Sequence, residues 1–311
     1  MIMTEISIVL PTYNEEESVK PLYDKLNSTL KKLNKKYEII FIDDGSSDNT
    51  YQNLLKLKKS DKNIKIIKFR SNFGQTAAMD AGFKAAKGKI IIAMDADLQN
   101  DPTDIPKLLN KIDQGFDVVS GWRYKRQDSF SKKIFSKLAH ELRRIFTGEK
   151  IHDSGCSLKA YRKECFDNLD LYGEMHRYIP AILKWRGFKI TEVKVNHKRR
   201  QYGKTKYNLS RVYHGFLDLI LVVFWQKFSA RPIHLFGGIG LLLNFFGILI
   251  GIYLSYLKIF FNESIANRPL LLLSIMSIII GIQFIIFGIL ADMILKLYYK
   301  DNPNYRIEKI D

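Results

Sequence analysis

Two aspartates two residues apart, Asp95 and Asp97, follow the apolar run Lys89-Ile-Ile-Ile-Ala-Met94. If the extended backbone persists past that run, both side chains leave on the same side of it. Two hard carboxylate oxygens facing one point suit Mg2+ or Mn2+, which draw their remaining ligands from phosphates and water. Gln99 supplies a further oxygen, as a ligand or as the partner of a metal-bound water. An isolated Asp-x-Asp is more often a solvated acidic turn. A second acidic pair, Asp43-Asp44, ends another apolar run, Tyr37-Glu-Ile-Ile-Phe-Ile42, and this placement favours the cation site.

The opposite charge gathers in two further segments. Gly121-Trp-Arg-Tyr-Lys-Arg126 offers Arg123 and Arg126, whose planar guanidinium forks match phosphate oxygens. His197-Lys-Arg-Arg-Gln-Tyr-Gly-Lys-Thr-Lys206 is a polar run around Gly203 that reads as a closing lid carrying Arg200 and Lys204. A solvated surface charge is the competing reading for any one of these, because the 311-residue chain holds 49 Lys and Arg.

These groups need a scaffold. Short apolar runs at Ile6–Leu10, Tyr37–Ile42, Ile64–Phe69, Lys89–Met94 and Phe116–Ser120 read as strands. Helical patterns occupy 15–33, 48–59, 74–86 and 102–114 between them. Strands alternating with helices imply a parallel sheet covered on both faces, with ligands gathering beyond the carboxyl ends of the strands. Both acidic clusters fall at such ends. No Gly-x-Gly-x-x-Gly follows the first strand and no Gly-x-x-x-x-Gly-Lys-Ser/Thr occurs, which disfavours a dinucleotide dehydrogenase or a P-loop enzyme. Gly238-Ile-Gly240 lies in an apolar stretch and has no bearing on phosphate. Two cysteines, Cys156 and Cys165, make a disulfide scaffold or a structural zinc site unexpected.

The net charge of +17 is unevenly spread. After Pro232 six basic residues oppose five acidic ones, so the first 232 residues carry +16. Residues 233–257 hold no charge, and residues 270–295 hold only Asp292. A membrane span needs about 20 apolar residues, so both are long enough to form a transmembrane hairpin. The basic residues lie before it, which by the positive-inside rule puts the large N-terminal region and the tail on the cytoplasmic side of the inner membrane. The N-terminus lacks the pattern of a secretory signal. Residues 129–147 interleave Phe and Ile with Lys and Arg and read as a basic amphipathic helix in the headgroup region, or as a helix packed on the core. Residues 208–232 read as an interfacial juxtamembrane helix, since Asp218 would be costly at a bilayer centre. Nucleic acid is not an expected partner, because no recognition motif accompanies the charge and anionic lipids account for it.

In order along the chain, Pro11-Thr-Tyr-Asn-Glu15, Asp43-Asp-Gly-Ser-Ser-Asp48 and Asp95-Ala-Asp-Leu-Gln99 resemble the signature series of family 2 glycosyltransferases. Asp153-Ser-Gly-Cys-Ser-Leu-Lys159, Glu174-Met-His-Arg177 and Gly203-Lys-Thr-Lys-Tyr207 narrow the resemblance to the polyprenyl-phosphate group, which includes dolichol-phosphate mannose synthase and bacterial undecaprenyl-phosphate glucosyltransferases. The resemblance covers nearly the whole chain. It implies an α/β class, a GT-A-type mostly parallel sheet flanked by helices, with juxtamembrane helices and a C-terminal two-helix hairpin. The expected organisation is a catalytic domain over 1–207, the interfacial helix over 208–232, the hairpin over 233–295 and a cytoplasmic tail over 296–311.

By the same resemblance, Pro11, Tyr13, Glu15, Asp43 and Asp44 line the base and ribose pocket. Asp95, Asp97 and Gln99 hold the metal on the donor diphosphate. Arg123, Arg126, Lys132, Ser136, Arg200 and Lys204 are expected to seat the lipid phosphate. The implied reaction moves a hexose, glucose first by resemblance, from a UDP-linked donor to polyprenyl phosphate with inversion. Many family 2 enzymes carry an aspartate as general base at the acceptor end. Gly155-Cys-Ser-Leu-Lys159 offers none, although Asp153 is nearby. A lipid phosphate, already anionic near neutrality because its second pKa is about 6, needs no base. Pairing into a homo-oligomer stays open. The alternatives are a processive or glycolipid-forming synthase, disfavoured by the lack of a Gln-x-x-Arg-Trp motif, and a non-catalytic sugar-nucleotide sensor.

Overall fold

The structure is a computed structural model that describes residues 4–124, 151–198, 224, 231–265 and 269–301, the last few as backbone only. Two compact units divide the chain, 1–222 and 223–311.

The first unit is built on seven strands: β1 Ile6–Thr12, β2 Tyr37–Asp43, β3 Ile64–Lys68, β4 Ile90–Ala93, β5 Val118–Trp122, β6 Lys159–Arg162 and β7 Ile190–Lys194. Its helices are α1 Val19–Lys32, α2 Thr50–Ser60, α3 Gln75–Ala85, α4 Ile105–Asp113 and α5 Ile179–Trp185. The sheet order is β3-β2-β1-β4-β6-β5-β7. Pairing is parallel throughout β3, β2, β1 and β4 and again between β5 and β7, while β6 runs antiparallel to both of its neighbours.

Alternation along the central strands splits the core in two, because successive side chains of a strand point to opposite faces. Ile8, Leu10, Ile39 and Phe41 pack with Leu22 and Leu26 of α1, Leu54 of α2 and Leu108 of α4. Val9, Ile40, Ile42 and Ile91 pack with Ala78 and Phe83 of α3 and with Ile179 and Leu183 of α5. Strands buried on both faces are apolar almost without interruption, as the runs of Ile and Val require. Both cysteines are buried free thiols.

The five expected strands and four expected helices form, with ends shifted by a few residues. α1 starts at Val19 rather than Glu15, and β5 runs to Trp122 rather than ending at Ser120. The expected helix from Pro102 opens as a 3-10 turn, Pro102–Asp104, in which Asp101 accepts from the Thr103 N–H at 3.1 Å before α4 proper. The antiparallel strand β6 was not expected. Its four residues begin with Lys159, a charge that argues against a buried strand, yet Lys159 is 5% exposed. Its ammonium is held by backbone, donating to the Ser154 carbonyl at 3.0 Å and to the Cys156 carbonyl. The helices expected over 129–147 and 208–232 lie outside the described residues apart from Phe224 and Arg231–Pro232, as does most of the tail.

In the second unit, α6 Pro232–Phe261 and α7 Pro269–Asp301 are both long and apolar enough to cross a membrane, which fits a membrane anchor. Both outrun the expected spans. Small residues let the two backbones approach. A Cβ on Gly240 would lie 2.5 Å from the Gly281 carbonyl oxygen, and one on Gly247 would lie 2.9 Å from the Ser274 carbonyl oxygen. Ser274 Oγ donates to the Gly247 carbonyl at 2.7 Å, a polar contact shielded from lipid. Close small-residue packing of this kind, with interhelical hydrogen bonds, holds apolar helices together where no hydrophobic force does. Gly240→Ile is therefore expected to separate the pair and lower the thermal midpoint of the detergent-solubilised chain. Leu241→Ile, on the exposed side of α6, is the control that should leave it unchanged.

Candidate active site

β1, β2 and β4 are adjacent and parallel, so their carboxyl ends reach the same edge of the sheet. Pro11 and Tyr13 leave β1 there, Asp43 and Asp44 end β2, and Asp95 and Asp97 follow β4. The edge therefore gathers every residue expected for donor nucleotide and metal.

The turns after β1 and β2 are laced together. Asn14, at φ 56°, takes Ser46 Oγ as acceptor for its N–H at 3.0 Å, and its side-chain oxygen accepts from the Ser47 N–H at 2.9 Å. Glu15 N–H donates to Thr50 Oγ1 at 2.8 Å, and Glu15 Oε2 accepts from Ser18 Oγ at 2.6 Å. Asp43 is fully buried. One of its carboxylate oxygens accepts from the Ser46 N–H at 3.0 Å, and the other has no hydrogen-bond partner among the described residues. Asp44 accepts from the N–H groups of Phe73 and Gly74, one on each oxygen, at 2.7 and 2.9 Å.

Beyond β4 the chain turns tightly. Leu98 has φ 64°, unusual for a bulky side chain and costing about 1–3 kcal/mol of strain that surrounding contacts must hold. Those contacts are present. Leu98 is buried, Gln99 N–H donates to Asp97 Oδ1 at 3.1 Å, and the Gln99 carbonyl accepts from the Lys198 N–H at 2.8 Å. Asn100 donates to Ser157 Oγ at 2.7 Å, which ties the turn to the segment before β6. Gln75 Nε2 donates to Asp95 Oδ1 at 2.7 Å. Among the described residues no third Asp, Glu, His or Cys joins the pair in a metal cage. Two hard carboxylates on an ordered turn nonetheless fit Mg2+ or Mn2+, whose coordination is ordinarily completed by substrate phosphate and water.

Just after β5, Arg123 is paired. Its Nε and a terminal nitrogen donate to the two oxygens of Asp153 at 2.6 and 2.8 Å, and its backbone N–H adds a third bond at 3.2 Å. Both side chains are 13% exposed. Burial by itself would raise the Asp153 carboxyl, but the Arg123 bonds and charge, with Lys159 behind them, outweigh it and hold the group below the usual carboxylate range. His176, which carries no expected catalytic role, sits in a 3-10 turn with Nδ1 2.6 Å from Thr76 Oγ1.

Arg126, Lys132, Ser136, Arg200 and Lys204 lie outside the described residues. Sequence reasoning missed Gln75, Ser157 and Asn100 as supports of the aspartate turn. Asp153 was noticed but not as the partner of Arg123.

The chain belongs to the family described as Glycosyl transferase family 2, whose model matches residues 7–170, and is thus of the sugar-transferring class. It is 41% identical to the dodecaprenyl-phosphate galacturonate synthase of Rhizobium johnstonii, over 98% of this chain and 93% of that one. It is 33% identical to the undecaprenyl-phosphate 4-deoxy-4-formamido-L-arabinose transferase of Proteus mirabilis, over 99% and 94%. Among solved structures, glucosyl-3-phosphoglycerate synthase from Mycobacterium tuberculosis, in complex with Mn2+ and UDP-glucose, matches with TM-score 0.55 and 17% identity over 71% of this chain and 79% of that one. Mannosyl-3-phosphoglycerate synthase from Rubrobacter xylanophilus matches with TM-score 0.57 and 16% identity over 72% and 75%. The fold is thus of the GT-A kind, and the full-length relatives are polyprenyl-phosphate sugar transferases.

Removing one member of the Arg123–Asp153 pair leaves the other charge buried. Asp153→Asn is expected to cost about 3 kcal/mol of stability. Because the folded Asp153 pKa lies below its ordinary 3.8, the pair's contribution is complete above that pH and is lost as pH falls through the folded value. Thermal midpoints recorded from pH 7 down to acid should fall for the native chain across that window and stay flatter for the variant.

Proposed function

We propose that the protein transfers a hexose from a UDP-linked donor to polyprenyl phosphate of the undecaprenyl class, with inversion, at the cytoplasmic face of the inner membrane. The observation that carries this reading is the commitment of Asp153. The acidic side chain that stands closest in sequence to the expected general-base position is held by the Arg123 fork and has a lowered pKa, which makes it a weak base. An acceptor alcohol would have to lose a proton, whereas a phosphate monoester arrives as an anion. The acceptor therefore supplies its own nucleophilic oxygen, and the protein's task becomes seating and alignment.

On the donor side, Asp43 has a buried carboxylate oxygen without a hydrogen-bond partner among the described residues, and an unmade hydrogen bond of that kind costs about 1–3 kcal/mol. A carboxylate accepts only, so a base with an imide N–H, as uracil has, is the complementary ligand. Asp95 and Asp97 would hold Mg2+ or Mn2+, with Gln99 as a further oxygen donor. When bound, such an ion neutralises charge developing on the departing diphosphate. Arg123, Arg126, Lys132, Ser136, Arg200 and Lys204 make up the proposed phosphate seat. The basic character of the first 232 residues supports their cytoplasmic placement. Glucose and galacturonate are the donors of first choice, the one from the sequence resemblance and the other from the name of the 41% identical relative.

The test is incubation of the purified full chain with undecaprenyl phosphate, Mg2+ or Mn2+, and a panel of labelled nucleotide sugars. Label should appear in the lipid fraction with a UDP-sugar. A panel in which no donor labels the lipid with either metal removes the reading. Asp97→Asn keeps an oxygen for the Gln99 N–H but loses the charge, and it should lower turnover roughly a hundredfold or more while leaving the thermal midpoint in place. Native turnover by that variant would remove the metal assignment.

A further inference from the structure

Residues 71–76, which connect β3 to α3, touch three parts of the site at once. Asp44 accepts two of their backbone N–H groups on its carboxylate, and its carbonyl accepts from Asn72 Nδ2 at 3.3 Å. Gly45, at φ 69°, lies so close beneath that a Cβ there would stand 2.5 Å from the Ser71 carbonyl carbon. Only glycine meets both demands of that position. At its far end the same segment places Gln75 Nε2 on Asp95 and Thr76 Oγ1 on His176. Only Gly74 lies between Phe73, whose N–H Asp44 grips, and Gln75, whose amide grips Asp95.

We propose that residues 71–76 form a strap and that Gln75 is a positioning residue, setting the Asp95 carboxylate for the cation while Asp44 fixes where Gln75 stands. The inference rests on the metal reading given above. A carboxylate turns easily about its last bond, and an oxygen facing the wrong way must be reoriented before it can ligate. A hydrogen bond from an anchored amide selects one orientation in advance. An amide suits the role because it donates without cancelling the negative charge that a cation needs. Gln75 is itself exposed, so it earns no place through core packing. Partners of this kind, which touch the ligand and not the metal, typically change metal affinity 10–100-fold when lost. Thr76 extends the strap to the Glu174-Met-His-Arg177 turn, so the segment joins the nucleotide-side turn, the aspartate pair and that turn in one run of chain.

The experiment titrates Mn2+ into the solubilised full chain in the presence of UDP and follows free Mn2+ by its electron paramagnetic resonance signal. Gln75→Met, similar in length but without a donor, should bind Mn2+ about tenfold more weakly, with its thermal midpoint and its metal-free UDP binding unchanged. Asp44→Asn turns an NH2 group toward one of the backbone N–H groups of the strap and should also weaken Mn2+. Combined with Gln75→Met it should add little, because both changes act through one element. Native Mn2+ affinity in Gln75→Met, or full additivity of the two changes, overturns the strap. If the native chain takes up no Mn2+, the metal reading fails and the strap falls with it.

Discussion

Four carboxylates at one edge of a parallel sheet are the constraint from which the rest of the first unit follows. Asp43, Asp44, Asp95 and Asp97 are partly or wholly buried at neighbouring strand ends, where their polar oxygens need partners. Each is met by N–H donors: Ser46 for Asp43, Phe73 and Gly74 for Asp44, Gln75 for Asp95, and Gln99 for Asp97. These donors are neutral, so they fix geometry without cancelling charge. The turns that carry them must then be held as well, which accounts for the lacing of Asn14 to Ser46 and Ser47 and for the left-handed residues Asn14, Gly45 and Leu98 at this edge.

The segment between β5 and β6 is solved in the opposite way. Arg123 and Asp153 are ionic partners in a two-toothed geometry, and Lys159 is buried with its ammonium on backbone carbonyls. A buried pair of this quality adds little net stability over an apolar pair but is expensive to break. Its value lies in order: it holds the chain after β5 against the chain before β6, at the point where the sheet reverses direction. The strand-end carboxylates are thus met by neutral N–H donors, while Asp153 is met by a guanidinium.

The central strands were legible in the sequence because burial on both faces demands uninterrupted Ile and Val, and their acidic ends stood out against that background. The Asp95–Asp97 pair was legible for the same reason. β6 was not, because its opening lysine finds backbone partners that no local pattern reveals. Neither was the partner of Arg123, which lies 30 residues away along the chain. Gln75 was hidden differently: a polar residue at the start of a helix reads as solvated unless the neighbouring strand end is known. The helix pair was legible from composition alone, yet the reason for Gly240, Gly247 and Gly281 appears only when the facing backbones are seen.

The two units answer different physical problems, and the acceptor proposed above would give a reason for joining them. A polyprenyl phosphate cannot leave the bilayer, because about 0.8 kcal/mol per methylene holds its chain there. Its phosphate is therefore presented only at the membrane surface. A soluble catalytic unit would meet it by three-dimensional search, whereas one tethered by an apolar helix pair has its encounters converted to near-intramolecular ones, with an effective concentration set by the tether. The pair's small-residue packing gives a compact anchor, and the charge that would be costly within lipid is concentrated in the other unit, where carboxylates and guanidinium groups can be solvated, paired and aimed.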